Sequence, residues 1–216
     1  MCGRKSEGVE EALRSLAEFD SHVKGVVAHV GRDEAIGELI AEAEAAWGAI
    51  SILVNNAGTN PYSGTLIDSE DWAWDKTFAV NLRAPYRLSR EVAKTMRDAG
   101  GGAIINIASV AGLSAALEQG IYSVTKAGLI MLTKAMALEM GEDKIRVNAI
   151  CPGVIKTKLS EALWKDEAVE KHFAAQKALR RVGETDEIVG AAIYLASEAS
   201  SFTTGAILQV DGGMVI

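Results

Sequence analysis

The chain contains a set of stretches that are apolar at almost every position rather than at alternate ones. ISILVNNAG (50–58), GGGAIINIAS (100–109), IRVNAICPG (145–153) and AILQVDGG (206–213) read as buried strands, and the shorter β-branched run VKGVVAHV (23–30) as a further strand. A strand with one wet face alternates apolar and polar residues, whereas a continuously apolar one is covered on both faces, as in a parallel sheet. The intervening segments return to helical spacing. Val9, Leu13, Leu16 and Ala17 recur at that spacing, as do Ile36, Leu39, Ile40, Ala43 and Trp47 over 33–47. A helical pattern runs from about 69 to 99 with an interruption at 81–85, another covers 121–140, and a third about 185–197. Strands alternating with helices predict an α/β fold, a doubly wound parallel sheet with helices on both faces and right-handed crossovers. The 216 residues show no composition shift or linker, so one domain over 1–216 is expected.

Composition excludes several classes of function. The net charge of −7 and the absence of a basic stripe argue against nucleic-acid binding. Cys2 and Cys151 form no Cys-x-x-Cys pair, so neither a disulfide framework nor a metal site is expected, and a reducing compartment fits. No apolar run reaches the ~18 residues of a membrane span. No secretory leader opens the chain and no peroxisomal address closes it, so a cytoplasmic location is the expectation.

Ligands of such sheets bind beyond the carboxyl ends of the strands. Here those ends carry His29 and Val30, Asn55 to Gly58, Ser109, and Pro152 with Gly153. Tyr122 and Lys126 stand four apart on a helix and share a face. A free tyrosine has a pKa near ~10. A neighbouring ammonium lowers it, so the pair can exchange a proton with an alcohol or ketone. Such a pair also arises by chance on helix surfaces. Ser109 adds a hydroxyl suited to holding a carbonyl oxygen, although serine at a strand end is also an ordinary turn residue. Asn81 interrupts a helix, either as a kink or cap or as a group that holds a relay water near Lys126. Asn56-Ala57-Gly58 and Pro152-Gly153 read as tight turns or as places where a flat ligand meets backbone. Thr157 follows with a hydroxyl where a cofactor amide could sit.

In this order and spacing, the residues resemble the short-chain dehydrogenase/reductase family. The resemblance rests on Asn-Asn-Ala-Gly (55–58), Asn81, Ser109, Tyr-x-x-x-Lys (122–126), Pro-Gly (152–153), Thr157 and TGAILQVDGG (204–213), and spans essentially the whole chain. Within the family, NAGTNPYSG (56–64) and PGVIKTKLSEALW (152–164) resemble the NADP(H)-dependent carbonyl and retinal reductases of the member 4 type and their bacterial relatives. The resemblance implies a Rossmann-like sheet. It also implies hydride transfer between a nicotinamide cofactor, NADP(H) in preference to NAD(H), and a small ketone, aldehyde or secondary alcohol. By the same resemblance Tyr122 would be the general acid or base, Lys126 would tune it and hold the nicotinamide ribose, Ser109 would orient the substrate oxygen, and Asn81 would complete a proton relay. Asn56, Ala57 and Gly58 would line the adenine-ribose side, while Pro152, Gly153, Ile155 and Thr157 would hold the nicotinamide end. Residues 156–182, with Leu159, Leu163, Trp164 and Phe173, would form a substrate lid. A homo-oligomer, tetramer or dimer, would pack through the helices near 69–99 and 121–141.

The chain departs from that pattern. The family's first strand, its Thr-Gly-x-x-x-Gly-x-Gly turn and its first helix have no counterpart, a shortfall of roughly 30–40 residues by the size of one strand–helix–strand unit. The expectation is therefore a truncated chain with a gap in its sheet, lowered stability and weakened cofactor affinity. A non-catalytic fragment or partner subunit is the alternative reading. His29 stands where the family commonly has an aspartate that meets adenine. Arg4 and Lys5, just beyond the expected end of the second strand, would suit a ribose 2′-phosphate.

Overall fold

The structure, a computed structural model, describes residues 1–215. It is a layered α/β fold of the expected Rossmann-like kind. The core is a parallel four-stranded sheet of β3 (Ile52–Asn55), β4 (Gly102–Ile107), β5 (Ile145–Pro152) and β6 (Ile207–Val210), in that order. Each strand is shorter than its apolar run. Glycines at positive φ (Gly100 and Gly101 before β4, Gly212 and Gly213 after β6) turn the chain out of the sheet.

Adjacent residues of the central strands face opposite layers. Ile104 and Val147 pack with Val92 and Met96 of α4 (Ala84–Asp98) and Met136 of α5 (Gly120–Met140). Ile105 and Ile150 face the other way, against Leu195 of α7 (Asp186–Ala196). The first layer also holds α2 (Asp33–Trp47), whose Ile36 joins Val80, Ala84 and Leu88. Two-sided burial is why these strands are continuously apolar.

The run at 23–30 forms only a two-residue strand, β2 (Val26–Val27), because its partner β1 (Cys2–Gly3) is equally short. The two pair in parallel and form a separate sheet, linked by α1 (Ser6–Ser15), whose Val9 is buried. His29 and Val30 therefore lie in a loop rather than in a strand. Among the described residues no strand joins the two sheets, as the expected gap required.

The helical pattern at 69–99 divides into α3 (Asp71–Phe78), a π-helical turn at Ala79–Arg83, and α4 with Pro85 in its first turn. The predicted interruption is thus a bulge in a continuous helix. The expectation about membrane spans needs one amendment: Gly120–Asp143 reaches the length and mean hydropathy of a span, but half of its apolar window is buried inside the protein. It is the core helix under β4 and β5.

Candidate active site

Ser109 follows β4 in extended conformation and opens a short 3-10 turn, its hydroxyl accepting the Ala111 N–H at 3.1 Å. That turn lies directly on α5. A Cβ added to Gly112 would fall 2.6–2.8 Å from the backbone of Lys126 and Ala127, so only glycine permits this approach. Through it the loop bearing Ser109 meets the helix bearing Tyr122 and Lys126. The Ser109 hydroxyl lies near enough to the Tyr122 phenol to pull its pKa down. Gly112 was not singled out in the sequence, where it reads as one more loop glycine.

Lys126 is 3% exposed. Its ammonium donates to the Ile107 carbonyl at 2.7 Å and stands 5.6 Å from the centroid of the Tyr122 ring. Burial lowers its pKa to about 8, partly offset by attraction to Cys151. Tyr122 differs from expectation: its pKa is raised, because burial outweighs the pull of the Ser109 hydroxyl, and Cys151 adds to the rise. The ammonium is directed at a carbonyl and the ring face, which is why it does not dominate the phenol.

Cys151, next to this cluster on β5, is fully buried. Burial pushes its thiol up to about 11, with the Ser109 N–H and Lys126 pulling the other way and Asp211 reinforcing the rise. The sequence reading used Cys151 only to argue against disulfides, since proximity across strands has no local signature.

Asn81 sits on the π-helical turn and is 1% exposed. Its Oδ1 accepts the Thr59 N–H at 2.8 Å, and its Nδ2 donates to the Thr59 carbonyl at 2.9 Å and to Thr125 Oγ1 at 3.2 Å. The side chain thus clamps the loop after β3 to α5 and is fully committed there. A Cβ on Gly58 would lie 3.8 Å from Lys126 Nζ and 3.9 Å from Asn81 Oδ1, which brings 56–58 to the same cluster. Beneath it, Asn55 Nδ2 donates to Ser89 Oγ and to Asn106 Oδ1, and Asn106 to Thr133 Oγ1. This buried polar chain ties β3 and β4 to α4 and α5.

On one flank, Gly3, Arg4, His29, Val30, Ala57, Gly58 and Thr59 line a cavity of about 180 Å³ at the carboxyl ends of β1, β2 and β3. His29 Nδ1 accepts the Gly31 N–H at 3.1 Å, leaving Nε2 for another partner. Arg4 is exposed at the cavity. Lys5 does not line it: this residue is the N-cap position of α1, and its carbonyl accepts the Val9 N–H.

On the other flank, Gly153 packs on Asp211, whose backbone lies within 2.9–3.1 Å of where a Cβ would stand. Close approach of two protein backbones already accounts for this glycine. Ile155 bridges to Gly183. The Thr157 hydroxyl is 2.9 Å from Ser160 Oγ, which in turn donates to the Ile155 carbonyl, and the Trp164 indole donates to the Thr157 carbonyl at 3.2 Å. Segment 156–182 carries α6 (Glu167–Ala175), N-capped by Asp166, and is tied back by Lys156 to Glu170 and Glu184.

Together, the fold and site define a Rossmann-like α/β protein with a serine, a tyrosine and a buried lysine gathered at the carboxyl ends of its parallel strands. Comparison with known proteins makes this more specific. A family model described as Enoyl-(Acyl carrier protein) reductase matches residues 1–215. The rabbit (Oryctolagus cuniculus) dehydrogenase/reductase SDR family member 4 is 39% identical over 97% of this chain and 81% of its own length. Gluconate 5-dehydrogenase from Burkholderia cenocepacia, solved with NADP and tartrate, superposes with TM-score 0.92 at 35% identity, covering 99% of this chain and 84% of that one. A 4-hydroxyisoleucine dehydrogenase solved with NADH gives TM-score 0.87 at 37% identity over 94% and 84%. The chain belongs to the short-chain dehydrogenase/reductase family.

Proposed function

We propose that the protein interconverts a small ketone or aldehyde and the corresponding alcohol with a nicotinamide cofactor, NADP(H) in preference to NAD(H). The observation that carries this reading is Tyr122 with the Ser109 hydroxyl near enough to act on its phenol and the buried Lys126 ammonium 5.6 Å from its ring centroid. When bound, the cofactor supplies or accepts the hydride. The residues fit such a group: an exposed guanidinium at Arg4, the His29 Nε2 and the backbone of 57–59 border one cavity, and Lys126 lies inward of Gly58. Arg4 would meet a 2′-phosphate. A neighbour solved with NADP and another with NADH keep both cofactors in view.

The protein's own groups handle the proton. Burial keeps Tyr122 protonated at neutral pH, so in the reductive direction its hydroxyl donates to the substrate oxygen, which the Ser109 hydroxyl orients. Lys126, as ammonium, then stabilises the phenolate. With the Asn81 side chain committed to Thr59 and Thr125, the backbone of the π-helical turn remains to hold a relay water. Residues 156–182 would close over the substrate. Two copies would pair through the α4–α5 face, where Tyr86 and Met131 are exposed. Carbonyl reduction followed by NADPH absorbance, compared with Tyr122→Phe, tests the chemistry. Loss of about 10²–10⁴-fold in turnover with retained NADPH binding is expected. Turnover of an enoyl thioester in place of a ketone would redirect the reading to the substrate in the family model's description.

A second reading, a chain with the site but little turnover by itself, is favoured by one observation. Val30, Ala57 and Val80 line both the 180 Å³ cavity and the open groove between the two sheets. An absence of NADPH quenching of Trp fluorescence would select it.

A further inference from the structure

A cavity of about 420 Å³ lies at the carboxyl ends of β5 and β6, and Ser109, Tyr122 and Lys126 do not line it. Val154, Leu179 and Val210 are part of its apolar wall. Four charged residues border it: Lys177, Arg181, Glu187 and Asp211. All but Lys177 are matched within the protein. The Arg181 guanidinium donates to both Glu187 carboxylate oxygens, and the Glu184 N–H adds a bond to Glu187 at 2.8 Å. Asp211 Oδ1 accepts the Gly213 N–H at 2.8 Å, and its Oδ2 the Val215 N–H at 2.9 Å. Lys177 is 3% exposed, and its ammonium makes one hydrogen bond among the described residues, to the Phe173 carbonyl at 2.8 Å. The Phe173 ring stands 5.9 Å from it. Burial lowers its pKa, and Asp211 opposes this as a charge at a distance. An ammonium has three donors, so two remain beyond the one that caps α6. The other carbonyls at that helix end are already served: Ala174 O accepts the Lys177 N–H, and Ala175 O the Arg180 guanidinium. The lysine is also held in place. The Ala178 and Leu179 N–H groups donate to the Gly213 and Gly212 carbonyls, and a Cβ on Gly212 would lie 3.6 Å from Lys177 Cδ.

We propose that this cavity binds a small monocarboxylate, whose oxygens meet the Lys177 ammonium. A carboxylate brings two acceptor oxygens and one negative charge, which match the two remaining donors and the uncompensated cation together. A second negative charge, as on a phosphate, would be repelled by Asp211 and Glu187 at the same cavity. A short alkyl body would lie on Val154, Leu179 and Val210. Gln209, whose side chain has no partner among the described residues, supplies a further amide donor. The volume falls in the ordinary range of small-molecule sites, about 300–1,000 Å³. The inference is independent of the chemistry assigned to Tyr122.

The probe is butyrate, titrated into the full chain and followed by the NMR shifts of backbone amides. For a ligand this small a Kd on the order of 1 mM is expected, and the titration is carried well past it. Saturable shifts are expected at the amides of Gly183, Gln209 and Gly212, which line the cavity. Butyramide, of the same shape but neutral, should bind about tenfold more weakly or worse. Lys177→Met keeps the apolar stem and removes the donors, so it should weaken butyrate about tenfold or more and leave butyramide nearly unchanged. The proposal is overturned if butyrate leaves those three amides unmoved, if butyramide binds as tightly, or if Lys177→Met binds butyrate as the parent does. Shifts confined to the amides of Ala111 and Tyr122 would place the carboxylate at the catalytic cluster and overturn it as well. The comparison of butyrate with butyramide on the unmodified chain stands even if Lys177→Met does not fold.

Discussion

Gly112 offers a sharp test of how the site is assembled. In Gly112→Ala the new methyl would lie 2.6 Å from the Lys126 carbonyl carbon and 2.8 Å from both the Lys126 oxygen and the Ala127 nitrogen. These are helix backbone atoms and cannot rotate aside. Reaching an ordinary contact near 3.4 Å requires the 110–112 turn to retreat by roughly 0.6–0.8 Å. Overpacking of this kind costs about 1–3 kcal/mol, and displacement of a reacting group by ~1 Å costs up to about 10²-fold in rate. The same substitution at Gly37, inside α2 with nothing within 4 Å of the added carbon, should stabilise by about 0.8–1 kcal/mol through helix propensity alone. Urea unfolding of the two variants beside the parent reads both signs, and ketone turnover reads the displacement of Ser109. Equal unfolding midpoints for Gly112→Ala and the parent, with equal turnover, would refute the packing argument.

Further expectations follow from the same site. Lys126 is held down from 10.5 to about 8, so its burial costs most below pH 8 and the cost is relieved as pH rises towards 10.5; Cys151, raised from 9.0 to about 11, opposes this above pH 9. Urea midpoints should therefore climb between pH 8 and 9, and Lys126→Met should abolish the climb. Asn81→Ala strands the Thr59 N–H and carbonyl and should cost about 2–4 kcal/mol, read as a lower unfolding midpoint. Arg4→Asp should lower NADPH affinity and leave NADH affinity unchanged or higher in paired fluorescence titrations; equal effects on both would count against Arg4 as the phosphate contact.

The parallel core was legible because two-sided burial writes itself into consecutive apolar residues, as at 145–152, and the helices because their faces repeat. What stayed hidden depends on neighbours distant in sequence. The Tyr122 shift is set by how deeply α5 is buried and by the direction in which Lys126 points, and spacing alone predicted the wrong sign. Val26 and Val27 end as a two-residue strand because a strand is only as long as its partner, and β1 offers two residues. Lys177, 3% exposed and donating to the Phe173 carbonyl near Asp211, sits in segment 156–182, where the sequence pointed to Leu159, Leu163, Trp164 and Phe173 and not to this lysine. Asn81 was found as an interruption, but its three hydrogen bonds could not be read from a single helix.

The split sheet and the Ser109–Tyr122–Lys126 cluster constrain each other. β4 leads into Ser109 and β5 carries Cys151; both strands pack on α5 and owe nothing to β1 or β2 for their pairing. The flank of the site with Ser109, Tyr122 and Lys126 therefore rests on the continuous sheet. The flank holding Arg4, His29 and Val30 rests on a two-strand sheet whose ladder is two residues long. A sheet that small is marginal in water without further packing, so the two halves should differ in local stability. Amides of β4 and β5 should exchange only with global unfolding, while the amide of Ala28, bonded to Gly3 O, should exchange at much lower cost. Equal protection of Ala28 and Ile105 in the chain alone would mean that the small sheet is held by more than its own ladder, and the division of the site into a firm and a loose half would fail.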